Sequence, residues 1–191
     1  MNFVYLILLV SLFDISTGDS MMNNNDRNSI LKKAYFAAGC FWGVEHLFQS
    51  LEGVSSTSVG YMNGKTDNPT YKSGCYEDTG HAEAVEIIYN PNIVSYEKLC
   101  SFFWKIHDPT TLNQQGPDYG SQYRSSIFYS SEIERQIAEE VKKQFQKYWN
   151  NSIVTEIVKA EKYYLAEDYH QNYFKNKGLT HAGCHFIRKF E

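Results

Sequence analysis

The chain has no excess of basic charge, no paired-cysteine framework and no apolar run of membrane length. Eighteen Lys and Arg stand against 22 Asp and Glu, a formal charge of −4. That balance gives no electrostatic reason to bind nucleic acid. Four cysteines (Cys40, Cys75, Cys100, Cys184) are too few and too scattered for a disulfide scaffold, and none stands in the C-x-x-C spacing of a zinc site, so no metal is expected. No internal repeat is visible. Residues 3–13 are apolar except for Ser11, a run only about half as long as the roughly 20 residues that span a bilayer.

That short run fits the core of a signal peptide. Ser16-Thr17-Gly18 then offers small residues for cleavage, although no Lys or Arg precedes the run. Residues 1–20 are therefore expected to direct export to a periplasm or outside the cell, with no stable membrane association afterwards; a cytoplasmic protein is the alternative if the segment is not a functional signal. Its removal takes away Asp14 and Asp19 and no base, leaving 20 acids against 18 bases. Residues 21–31, rich in Asn, read as a flexible linker, and residues 32–191 as one folded domain.

Aromatic residues make up 16% of the chain, 15 of them Tyr, which suits a packed mixed fold rather than a disordered chain. Strands are expected over residues 33–38, 54–61, 82–89, 123–129 and 153–160. Helices are expected over 42–51, from Ser95 to Ile106, from Ser130 or Ser131 to about Tyr148, and over 166–174. Residues 67–80 and 110–120, dense in Gly, Asn, Asp, Ser and Pro, read as loops. Without regular βαβ spacing, this is an α+β domain, one mixed sheet flanked by helices and ending in an irregular C-terminal tail.

Chemistry concentrates at Gly39-Cys40-Phe41-Trp42-Gly43, where a strand passes into a helix. Orphan N–H groups and the positive helix end favour a thiolate at Cys40. The glycines leave the backbone open to close approach, and Phe41 and Trp42 offer an apolar wall. A buried cysteine in a tight turn is the bland alternative. Glu83 begins an apolar strand, where desolvation would raise its pKa and keep it protonated near neutrality; otherwise it is an edge carboxylate in water. Tyr71 in the first polar loop and Tyr123 just past the second read as neutral hydroxyl donors or as half-buried packing residues. Asp118, between Gly116-Pro117 and Gly120, reads alone as a turn acid.

In order and spacing these segments, over roughly residues 34–173, resemble the A-type peptide methionine sulfoxide reductases. The resemblance implies reduction of the S epimer of methionine sulfoxide, free or in oxidised proteins, as repair under oxidative stress. It implies Cys40 as nucleophile, Glu83 as acid, Tyr71 and Tyr123 as donors to the sulfoxide oxygen, and Phe41 and Trp42 as walls around the methyl group. Asp118 would hold a water and orient the site, and Tyr173 would line the substrate groove. His107-Asp108-Pro109-Thr110-Thr111 and Glu167-Asp168-Tyr169-His170-Gln171 are further family-like stretches, His170 being read as a residue that fixes the last helix. Attack leaves a sulfenic acid on Cys40. Cys184, in a tail made mobile by Gly183, is the best candidate to resolve it, with Cys75 the lesser one; Cys100 reads as a core thiol. The disulfide would be reduced by thioredoxin or a similar dithiol, with no bound cofactor. Better-known members carry two cysteines in a glycine-rich tail, whereas this tail carries one.

Two other classes remain open. A thiol peroxidase also forms a sulfenic acid, but wants cationic or hydroxyl partners rather than two aromatic rings. An exported structural or binding domain would pair its four cysteines in one of three ways.

Overall fold

In the computed structural model the described residues are 30–76 and 79–190, the side chains of Cys75 and Tyr76 excepted. The expected signal segment and nearly all of the expected linker lie outside them. Six strands form one mixed sheet: β1 (Lys32–Ala38), β2 (Val54–Met62), β3 (Ala82–Tyr89), β6 (Ser125–Tyr129), β7 (Glu156–Lys159) and β8 (Tyr163–Leu165), in the order β7-β6-β1-β3-β2-β8. All neighbours are antiparallel except β6 and β7, which the helix α4 (Glu132–Gln146) joins as a crossover. A separate two-stranded ladder, β4 (Gln114–Gln115) and β5 (Asp118–Tyr119), lies within the second polar loop.

Period-two alternation decides what each face carries. Phe36, Val59, Tyr61, Val85, Ile87 and Ile127 belong to the large core with α1 (Phe41–Gln49), α3 (Tyr96–Ile106) and α4. Ala37, Met62, Ala82, Ala84 and Phe128 form a smaller cluster on the other face. Glu83 shares the parity of Val85 and Ile87, so this strand turns a carboxyl toward the core side. Phe36 anchors that side, its ring 5.2 Å from Phe48 and 5.3 Å from Phe103. On α1 the buried Phe41, Val44, Glu45 and Phe48 recur at helical spacing. Ser95 and Ser131 accept hydrogen bonds from Lys98 N–H and Glu134 N–H and start α3 and α4.

Local signals fell short where tertiary contacts take over. The first expected loop holds a short helix, α2 (Tyr71–Tyr76), and β8 was not anticipated. The strand expected from Tyr123 begins at Ser125, after a 3-10 turn at Ser121–Tyr123. The last expected helix is instead a 3-10 turn (Asp168–His170), then Asn172 at φ 53°, then the single turn α5 (Tyr173–Asn176). Among the described residues no helix is long and apolar enough to cross a membrane.

Candidate active site

β1 ends at Ala38, Gly39 turns the chain at φ 97°, and Cys40 is the residue before the first helical turn of α1. A helix start leaves its first N–H groups unpaired. Here the Phe41 N–H donates to Glu83 Oε2 at 3.0 Å. Glu83 is 4% exposed on the central strand β3, and burial raises its pKa to about 8; the Phe41 N–H pulls it down and the charge of Asp118 pushes it up. At neutral pH this carboxyl keeps its proton and can donate it. The bond to Phe41 ties the acid to the residue next to the half-buried Cys40 thiol.

Cys40 departs from the thiolate expectation. Burial raises its pKa well above the ordinary thiol value and the charge of Glu83 adds to that; the Trp42 N–H pulls it back less than these, and Asp118 and Cys184 push it further up. The helix terminus does act on the sulfur, but desolvation and neighbouring acids outweigh it.

Beside the thiol stands an aromatic wall. Trp42 and Tyr173 stack at 3.9 Å and 9°. Trp42 Nε1 donates to His170 Nδ1 at 3.0 Å, so the His170 proton sits on Nε2. His170, 1% exposed, lies 5.3 Å from the Phe41 ring and 4.6 Å from the Tyr71 ring. It does more than fix the last helix: the wall is built around it. Glu167 accepts from Tyr61 Oη at 3.0 Å and from the Tyr71 N–H at 2.9 Å, and Tyr61 pairs across the sheet with Glu83. Tyr61 and Glu167 escaped the sequence reading; Glu167 stood in the family-like stretch, which was the available signal. Tyr173 is held in place by Asn172, whose N–H donates to the buried Glu45 at 2.8 Å and whose Oδ1 accepts from Gln49 at 2.7 Å.

Asp118, half-buried on β5, acts electrostatically on Glu83, Cys40 and Cys184, and its Oδ2 lies 3.9 Å from Cys184 Sγ. Tyr123 closes a 3-10 turn that packs on β3, two residues before Ser125, the register partner of Ala38.

The tail packs into the domain. His185 is 5% exposed, and its Nε2 lies 2.7 Å from the Ala38 carbonyl. The motif glycines are open for this tail: a Cβ on Gly43 would lie 2.4 Å from Ala182 O and 2.5 Å from His185 Nδ1, and one on Gly39 would lie 2.6 Å from Gln115. So the space read as access to the sulfur is taken by Gln115, Ala182 and His185. Gly183, at φ 65°, permits the turn that seats Cys184 next to Gly116. Among the described residues Cys40, Cys100 and Cys184 are free thiols. Cys100 is fully buried in the core, as expected, and the Cys75 side chain lies outside the described part. Among the described residues, no group of three or more His, Cys, Asp or Glu is arranged to hold a metal ion.

Residues 32–189 match the peptide methionine sulfoxide reductase family. The chain is 55% identical over 151 residues to peptide methionine sulfoxide reductase MsrA of Methanosarcina acetivorans, covering 78% of this chain and 80% of that protein. It resembles Mxr1 from Saccharomyces cerevisiae in reduced form, with TM-score 0.77 and 39% identity over 83% of this chain and 93% of that one. It also resembles Mxr1 in complex with Trx2, with TM-score 0.57 and 27% identity over 83% and 91% of the two chains.

Proposed function

The chain belongs to the peptide methionine sulfoxide reductase family, and on that premise we propose that Cys40 removes the oxygen from the S epimer of methionine sulfoxide, free or in proteins, with Glu83 as the acid. The observation that carries the reading is the buried Glu83 carboxyl, with a pKa of about 8, bonded to the amide next to the thiol. A protonated carboxyl can hydrogen-bond the sulfoxide oxygen, draw electron density from the sulfur and pass its proton as the S–O bond breaks. The Phe41 N–H then steadies the carboxylate left behind, which recovers a proton from the Cys40 thiol. In sum, methionine sulfoxide and Cys40–SH become methionine and a Cys40 sulfenic acid.

Tyr71 and Tyr123 are proposed as further donors to the oxygen, Asp118 as the residue that orients the site, and Phe41, Trp42 and Tyr173 as the enclosure of the methyl and its chain. Cys184 resolves the sulfenic acid to a disulfide; the charge of Cys184 felt at Cys40 supports that pairing. A thioredoxin or similar dithiol returns the enzyme to its reduced form, a step supported by the complex of Mxr1 with Trx2. Residues 1–20 are proposed to direct export, which the mass of the mature chain tests.

The experiment is a single turnover of reduced enzyme, without reductant, on the separated epimers of dabsyl-methionine sulfoxide. One methionine per enzyme is expected from the S epimer, and none from a Cys40→Ser protein, whose hydroxyl is too weak a nucleophile. Consumption of the R epimer alone, or turnover by the serine variant, contradicts the reading.

A further inference from the structure

His185 stands in the tail as the immediate neighbour of Cys184, and nothing in the sulfoxide step uses it. Its ring nitrogens have different partners. Nε2 faces the Ala38 carbonyl at 2.7 Å, and a carbonyl only accepts, so Nε2 carries the proton. Nδ1 is then the nitrogen with the lone pair, and it lies 3.5 Å from Cys184 Sγ. A thiol proton directed at that lone pair makes a weak hydrogen bond, the starting geometry for proton transfer.

We propose that His185 is the general base of the resolving step: its Nδ1 takes the Cys184 proton as Cys184 Sγ attacks the sulfenic sulfur of Cys40. The proposal rests on Cys184 as the resolving thiol. The electron pair of the new S–S bond comes from Cys184, and the S–O pair leaves Cys40 with the oxygen. Cys184 sulfur is oxidised and the sulfenic sulfur of Cys40 reduced, so no outside oxidant is needed. The proton held on Nδ1 passes to the departing oxygen, which leaves as water.

The resolving thiol needs such help. Burial raises its pKa and the charge of Asp118 raises it further, so little thiolate exists at neutral pH. His185 meets the need because burial lowers its pKa and keeps it neutral, while the Ala38 and Ala182 carbonyls and Asp118 favour the imidazolium it becomes. The other titratable groups around it are Arg188 further along the tail and His107 at the end of α3. The Gly39 and Gly43 niches fix the ring that performs this step.

Rapid-quench single turnovers with dabsyl-S-methionine sulfoxide separate the steps, methionine release reporting the first and disulfide peptide mass the second. In the native enzyme the ratio of disulfide rate to methionine rate should change by less than about twofold from pH 6.5 to 7.5, below the titration of Glu83 and with His185 neutral. In His185→Gln, whose amide can still donate to Ala38, that ratio should fall about 100-fold at pH 7. It should then climb about tenfold per pH unit as Cys184 ionises unaided, with dimedone trapping the waiting sulfenic acid. The proposal is overturned if the glutamine variant keeps the native ratio. It is equally overturned if the native ratio itself climbs tenfold per unit, a result that needs no variant to fold. A native disulfide peptide that joins Cys40 to a residue other than Cys184 overturns instead the assignment of the resolving thiol.

Discussion

At Glu83, burial against α1 and one N–H bond from Phe41 leave a carboxyl that ionises near pH 8 rather than in the ordinary acidic range, and this has a consequence for stability as well as for chemistry. The folded state holds a proton that the unfolded chain releases between about pH 4.5 and 8. Stability due to this group is therefore full at low pH and falls as pH rises across that window, by about 1.4 kcal/mol per unit at most, levelling off above it. Glu83→Gln has no proton to lose, so its urea stability relative to the native protein should improve between pH 5 and pH 8; a constant difference would contradict the raised pKa. Cys40 and Glu83 were legible in the sequence because each sits in a local pattern, a glycine-flanked junction and an apolar strand. Tyr61 and Glu167 were not, because their bond spans 106 positions of the chain. The protonation state of Cys40 was misread for a related reason: a helix terminus is visible in sequence, and the burial that overrides it is not.

Among the elements, α1 carries more than its cysteine. Its first turn feeds the Phe41 N–H to β3, its residues Glu45 and Gln49 hold Asn172, and Gly43 receives the tail. Gly43→Ala puts a methyl group against the Ala182 carbonyl, where backbone must shift. It should destabilise the protein by about 1–3 kcal/mol and slow disulfide formation more than methionine release; equal slowing of both would show that the niche serves only folding. Asn172 holds a left-handed conformation, which costs an alanine about 1–2 kcal/mol. Asn172→Ala should thus loosen Tyr173 from Trp42 and raise KM for peptide substrates severalfold, and an unchanged KM would remove Tyr173 from the substrate wall. The strands β1, β2 and β3 and the helices α1, α3 and α4 were legible because alternation or helical spacing repeats over most of their length. The short elements α2, β8 and α5 were not. Each is three to six residues long, and each is held by distant partners: Tyr71 N–H by Glu167, β8 by β2, and Asn172 by Glu45.

Across the molecule, the sheet order sets the site. With β3 between β1 and β2, the strand bearing Glu83 lies under the helix that β1 feeds, and the tail returns from beyond α5 to the carbonyl of Ala38. Cys40 thus lies within electrostatic reach of both Glu83 and Cys184, the proposed acid and resolving thiol, a convergence that sequence order alone could not reveal. The proposed reaction depends on proton donation by the buried acid, and the direct measurement is the pH dependence of methionine release in a single turnover by the native enzyme and by Glu83→Gln. The native rate should hold level at neutral pH and fall as pH rises through about 8, and the variant should be slower by about 100-fold or more at pH 7 without that fall. A Glu83→Gln enzyme that releases methionine at the native rate would contradict it.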